Sequence, residues 1–318
     1  MAAVPAIALI YPPLLALLTA NENYTIFTND YGVPHVIDVS ELPLNETEVA
    51  QIASAAAKTT FHLYTRNNPK VGQELFINDL NSVKDSFWDA KRPTRFVTHG
   101  WHGNANTVAC THVRDAYIQV GDYNVILVDW QEAASYLIYW KSVCGVFQVA
   151  KRVALMLNFL EKSASMNPRT VKLIGHSLGA HVAGLAARSA DSDISGVVAL
   201  DPAKPSFSRK DPGFRVDKTD ALRVQVIHTN AGSLGMKEAV GTADFYPNGG
   251  RNQPGCGLID LIGVCAHSRS YMYYAESVMN PKGFRTEEGV FMGGPVLDPN
   301  AKGEYTLKTG SKSPFALG

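Results

Sequence analysis

The chain has 318 residues, with 29 basic and 29 acidic side chains that cancel to a formal net charge of zero. A hydrophobic fraction of 46% supplies a large core and excludes wholesale disorder. Neutrality, with no Lys/Arg block, argues against a nucleic-acid partner; the length fits one large α/β domain or two medium ones.

Residues 6–20 are apolar but interrupted by Pro12 and Pro13, and polar Asn21-Glu22-Asn23 follows. The run is too short and too broken to span a bilayer. It reads as a secretory signal peptide over residues 1–20, cleaved near Ala20; a buried amino-terminal segment is the alternative. Asn23 and Asn45 open glycosylation sequons, which agrees with a secreted, extracellular chain. Residues 21–57 form a polar leader with a small Ala-rich stretch, and residues 58–318 form one domain.

Within that domain, short apolar runs at 61–65, 95–99, 125–129, 171–175, 196–200 and 223–228 predict strands buried on both faces. Val146, Val149, Ala150, Val153, Leu157 and Leu160 recur at helical spacing, and 180–190 is a second helix of small residues. Strand–helix alternation predicts an α/β fold: a mostly parallel central sheet flanked by helices. The Gly/Pro-rich stretch 284–318 is expected to form hairpins or loops closing the same domain. The four cysteines, Cys110, Cys144, Cys256 and Cys265, form an even set and predict two disulfides in an oxidising compartment, with the pairing open.

Gly175-His176-Ser177-Leu178-Gly179 follows an apolar strand and precedes a helix of small residues. That is the strand–turn–helix context of a nucleophile elbow, with Ser177 Oγ lifted above the sheet edge. The turn also places the Leu178 N–H at a helix start, where it can donate to an oxyanion. A serine needs a histidine base braced by a carboxylate. Three histidines follow: His181 lies inside the next helix, His228 ends a strand, and His267 sits in a loop after Cys265. His267 is favoured. Asp201, at the tip of the next strand, is the favoured acid, with Asp217, Asp220 and Asp244 as rivals; Asp129 reads as structural. A second oxyanion donor is assigned to the Trp101 N–H, in Thr98-His99-Gly100-Trp101-His102-Gly103.

With Leu200-Asp201-Pro202-Ala203, Ile227-His228-Thr229-Asn230, Asp244-Phe245-Tyr246-Pro247-Asn248, Gln253-Pro254-Gly255-Cys256 and Cys265-Ala266-His267-Ser268-Arg269 added, the sequence resembles the pancreatic lipase family from about residue 58 onward. The resemblance implies an α/β-hydrolase fold, a triad of Ser177, Asp201 and His267, and oxyanion donors on Trp101 and Leu178. It also implies a Cys256–Cys265 disulfide at the base of a lid. Only eight residues lie between these cysteines, and Leu258, Ile259, Leu261 and Ile262 form an apolar cluster there, expected to line the cleft or touch lipid. The short lid resembles secreted insect phospholipases A1 and neutral lipases. No carboxy-terminal β-sandwich domain is expected within the chain, so no colipase partner is expected. No cofactor is expected to be required; Asp217 and Asp220 match the position of a structural Ca2+ site in some relatives, with a solvated turn as the other reading. The resulting expectation is a secreted serine carboxylic-ester hydrolase acting on phospholipid at sn-1 or on acylglycerol, at a membrane, droplet or micelle surface. The alternative is a non-catalytic yolk, storage or lipid-carrier relative.

Overall fold

The computed structural model describes residues 23–257, 260 and 262–318. The signal-peptide reading of residues 1–20, and Leu258, Ile259 and Leu261 of the apolar cluster, lie outside the described residues. Nine strands form one sheet. β3 (Thr60–Tyr64), β4 (Gln73–Leu75), β5 (Thr94–Thr98), β6 (Asn124–Asp129), β7 (Lys172–His176), β8 (Gly196–Leu200), β9 (Val224–Ile227), β10 (Ala243–Pro247) and β11 (Gly303–Leu307) are ordered β11-β10-β9-β8-β7-β5-β6-β3-β4. All pairings are parallel except β3 with β4 and β3 with β6. Every residue of β5, β7, β8 and β9 is buried, as helices on both faces require, Arg95, Lys172 and Gln225 included.

One face carries α1 (Glu46–Ala57), α5 (Tyr139–Ala164) and α6 (Leu178–Arg188); the other carries α3 (Val108–Val120) and α7 (Val264–Met279). Two short helices, α2 (Leu80–Lys84) and α4 (Gln131–Ala134), complete the α-helices among the described residues. By length and composition α5 is apolar enough to cross a membrane, yet Val146, Val149, Val153, Leu157 and Leu160 are buried in the core beside α1 and α6. α6 is buried from Leu178 to Ala187, and its small residues let it lie close on the sheet.

The stretch read as a polar leader is structured and enters the same core. Its antiparallel hairpin, β1 (Tyr24–Thr28) with β2 (Pro34–Asp38), buries Phe27 and Ile37, and α1 buries Ile52, Ala55 and Ala56. α1 opens with a capping box in which Asn45 and Glu48 each accept the other's backbone N–H, which explains a helix start in a polar segment. At the other end, β11 adds a parallel strand beside β10, where the sequence predicts only hairpins or loops.

The expected pair of disulfides is corrected to one. Cys256 and Cys265 are bonded, with Cα atoms 5.5 Å apart, but Cys110 and Cys144 are free thiols. Cys110 belongs to α3 and Cys144 to α5, helices on opposite faces, so the sheet separates them.

Candidate active site

The carboxyl ends of β5, β7 and β8 meet where the strand order reverses, the place where open α/β sheets hold ligands. Ser177 sits between β7 and α6 at φ 58° and ψ −121°, a strained backbone for a residue with a side chain. The bend is tight: a Cβ on Gly175 would lie 2.0 Å from Gly179 O, and one on Gly179 would lie 2.4 Å from His99 O. These contacts give the two elbow glycines their reason. Ser177 N–H donates to Leu200 O at 3.0 Å, and Ser177 O accepts from Ala203 N–H at 3.2 Å, pinning the elbow to the end of β8.

Asp201 follows β8 directly and is fully buried. Its Oδ1 accepts the backbone N–H groups of Thr229 (2.8 Å) and Asn230 (3.0 Å), while its Oδ2 lies 2.5 Å from His267 Nδ1. A Cβ on Gly235 would come within 2.4 Å of Asp201 Oδ1, so that glycine leaves room for the carboxylate. Two backbone donors and one imidazole leave this buried anion well satisfied.

His267 is not in a loop, as the sequence reading had it, but in the first turn of α7, where its N–H donates to Gly263 O at 2.8 Å. Asp260 accepts from Cys265 N–H (3.0 Å) and Ala266 N–H (2.8 Å), so a carboxylate caps this helix start. The aromatic run 271–274 masks the helical period, which is why the sequence reads poorly here. His267 Nε2 is buried and makes no hydrogen bond among the described residues; Ser177 Oγ and Nε2 are therefore not bonded in this state. Burial, and the neighbouring His176, push the His267 pKa down, while the hydrogen bond and charge of Asp201 push it up; the net direction is down. The ring stays neutral, the form a proton acceptor needs.

The two N–H groups assigned to oxyanion binding, Trp101 and Leu178, donate to no backbone carbonyl among the described residues. Leu178 is the first residue of α6, where an unpaired N–H is expected. The Trp101 side chain is buried against Phe27 and Tyr139, with ring centroids at 6.0 and 5.4 Å, which fixes its peptide.

The rival residues go elsewhere. His181 is fully buried: its Nε2 donates to Ala203 O (2.9 Å), its Nδ1 accepts Val216 N–H (3.2 Å), and its ring stacks on Phe207, with burial lowering its pKa to about 3. His228 spends both nitrogens, on Met236 O and on Asp244 Oδ1, each at 2.9 Å. Asp129 receives Ala105 N–H and Gln131 N–H and faces His99 at 3.6 Å; these outweigh burial and lower its pKa to about 2. Asp217 accepts from Thr219 and meets Arg215 at 3.5 Å, while Asp220 accepts Asp217 N–H (2.7 Å) and meets Arg188 at 3.6 Å. Burial raises the Asp220 pKa to about 6. Arg215 and Arg188 stand beside these carboxylates, and Asp220 Oδ1 is buried without a hydrogen-bond partner among the described residues.

Sequence reasoning missed Asp30. It lies after β1, its side chain has no solvent contact, and its Oδ1 is 2.8 Å from His176 Nδ1. No local pattern marks it; its partner is 146 residues away.

A mostly parallel sheet with a serine elbow at its switch point, an acid at the tip of β8 and its histidine in the first turn of α7 defines an α/β-hydrolase fold. Residues 35–289 match the family model "Lipase", and the chain belongs to that family, in the pancreatic lipase group. It is 37% identical over 245 residues to pancreatic lipase-related protein 2 of Bos taurus, covering 70% of this chain and 52% of that protein. Pancreatic triacylglycerol lipase of Oryctolagus cuniculus is 36% identical, with 71% and 53% covered. Inactive pancreatic lipase-related protein 1 of Homo sapiens is 38% identical, with 71% and 52% covered. The chain thus spans about half the length of the curated relatives it matches.

Proposed function

We propose that the protein is a secreted serine carboxylic-ester hydrolase that cleaves lipid esters through an acyl-enzyme on Ser177. The observation that carries this reading is the 2.5 Å Asp201–His267 pair, whose second nitrogen is buried and unengaged beside the elbow. His267 Nε2 takes the Ser177 proton as Oγ attacks the ester carbonyl, and Asp201 holds the ring in the tautomer with Nε2 free. The Trp101 and Leu178 N–H groups receive the oxyanion; the alcohol leaves with the proton from His267. Water, activated by the same nitrogen, then releases the fatty acid. The short Cys256–Cys265 loop, nine positions from end to end, favours phospholipid sn-1 cleavage alongside acylglycerol cleavage, because less polypeptide screens a bulky headgroup.

One relative of similar identity is described as inactive, so family membership does not by itself establish turnover. Ser177→Ala decides between an enzyme and a storage or carrier protein. The expected result is fluorophosphonate labelling and ester hydrolysis in the native protein and loss of both in the variant. Native protein that is folded yet neither labels nor hydrolyses favours the carrier. Turnover on phosphatidylcholine vesicles against triolein emulsion tests the substrate: strong triolein cleavage with negligible phospholipid cleavage rejects the phospholipid preference.

A further inference from the structure

We propose that the amino-terminal hairpin is part of the catalytic apparatus, with Asp30 as a positioning residue: through His176 and the Trp101 peptide it holds the elbow, the oxyanion loop and the base in one register. This rests on the reading of Ser177 and His267 as nucleophile and base. A carboxylate without solvent contact is costly to keep and is tolerated where strong partners surround it. The Asp30 carboxylate has one such partner, on Oδ1, while Oδ2 is buried with no hydrogen bond among the described residues, and the main chain adds a second attachment. Its Oδ1 is 2.8 Å from His176 Nδ1, on the residue preceding the nucleophile. Its backbone N–H donates to Trp101 O at 2.8 Å, fixing the residue whose own N–H is assigned to the oxyanion.

The surroundings are shaped to this side chain. A Cβ on Gly103 would lie 2.7 Å from Asp30 Oδ2, and one on Gly100 would lie 3.0 Å from Oδ1. The two glycines flanking Trp101 therefore make the space that the carboxylate fills. The His176 ring, held by Asp30, lies 4.4 Å from the His267 ring and 5.1 Å from Tyr271, both centroid to centroid. The same hairpin reaches the base helix by a second route: Gly32, at φ +77°, sits so close to α7 that an added Cβ would be 2.7 Å from Val264 Cγ1. A single turn thus touches the oxyanion loop, the elbow and the helix carrying His267. A hairpin needed only as a core anchor would be served by Phe27 and Ile37, with no buried charge. Burial opposes ionisation of Asp30, but His176 and His99 outweigh it, so the group is an anion at neutral pH.

The test compares Asp30→Ala, the volume-matched Asp30→Leu and the conservative Asp30→Asn, each normalised to active sites titrated with a fluorophosphonate. Asp30→Ala and Asp30→Leu are expected to lower kcat per titrated site at least tenfold with KM within twofold. Asp30→Asn retains an acceptor for His176 and is expected to recover most of that loss. Should neither apolar variant yield titratable sites, His176→Phe removes the partner while filling its space, with the same tenfold loss expected. Per-site kcat within twofold of wild type, with only a lower Tm, overturns the proposal and leaves the hairpin as an anchor. Wild-type protein that does not label sinks the nucleophile reading itself; wild type that labels beside an equally fast variant sinks this inference alone.

Discussion

Of the buried Asp–His pairs near the strand tips, two make an instructive comparison. Asp201–His267 and Asp244–His228 are both buried, and both are short, at 2.5 and 2.9 Å. His228 has its other nitrogen on Met236 O, its ring stacks on Tyr246 at 4.3 Å, and Asp244 also accepts the N–H groups of Val240 and Gly241. Every polar atom there is spent on holding the chain. His267 leaves Nε2 without a partner among the described residues. A carboxylate beside an imidazole therefore does not mark a base; the idle nitrogen separates His267 from His228, while His176, braced by Asp30 and equally idle at Nε2, differs from His267 in its place, on the residue before Ser177.

The sharpest way to break this comparison is to exchange the two acids' fates. Asp201→Asn should lower kcat/KM about ten-thousandfold by favouring the wrong tautomer of His267, with little change in the amount folded; activity within tenfold of wild type would contradict it. Asp244→Ala should do the reverse, costing about 3–5 kcal/mol of stability by denaturant titration while kcat per titrated site stays within a fewfold. Smaller is the effect of Cys256→Ser with Cys265→Ser: about 2–3 kcal/mol lost through a less constrained unfolded chain, read by thermal unfolding. Smallest is the pH response. Buried His267 and His181 both titrate below the ordinary value near 6.5, His181 at about 3. The unfolded chain thus binds protons below pH 6.5 that the folded chain refuses, so stability falls as pH drops from about 6.5 towards 3. His181→Gln should flatten that decline in denaturant midpoints measured at pH 7 and pH 5. For the same reason the acid limb of kcat/KM is expected below pH 6.5.

The elements legible in the sequence are those whose signal is local. The strand runs and the Gly175–Gly179 elbow each carry their constraint within a few residues, because burial on both faces and a crowded turn dictate composition directly. Asp201 was legible as a strand-tip acid next to the elbow. What could not be read depends on partners far along the chain. Asp30 is an ordinary polar residue in a polar stretch until folding brings His176 to it. The Cys110–Cys144 pairing looked plausible by count because counting ignores the sheet between α3 and α5. The chain order points to His267, but the loop setting expected for it gives way to a helix start, along which Tyr271, Tyr273 and Tyr274 are buried.

The two unbridged sulfurs have a consequence for the bridge that does form. Burial pushes Cys144 up to about 11 and Cys110 well above the usual thiol range. At neutral pH only about one Cys144 in ten thousand is a thiolate, the species that attacks an existing S–S bond. Attack of Cys144 on the Cys256–Cys265 bridge is thereby slowed at its first step.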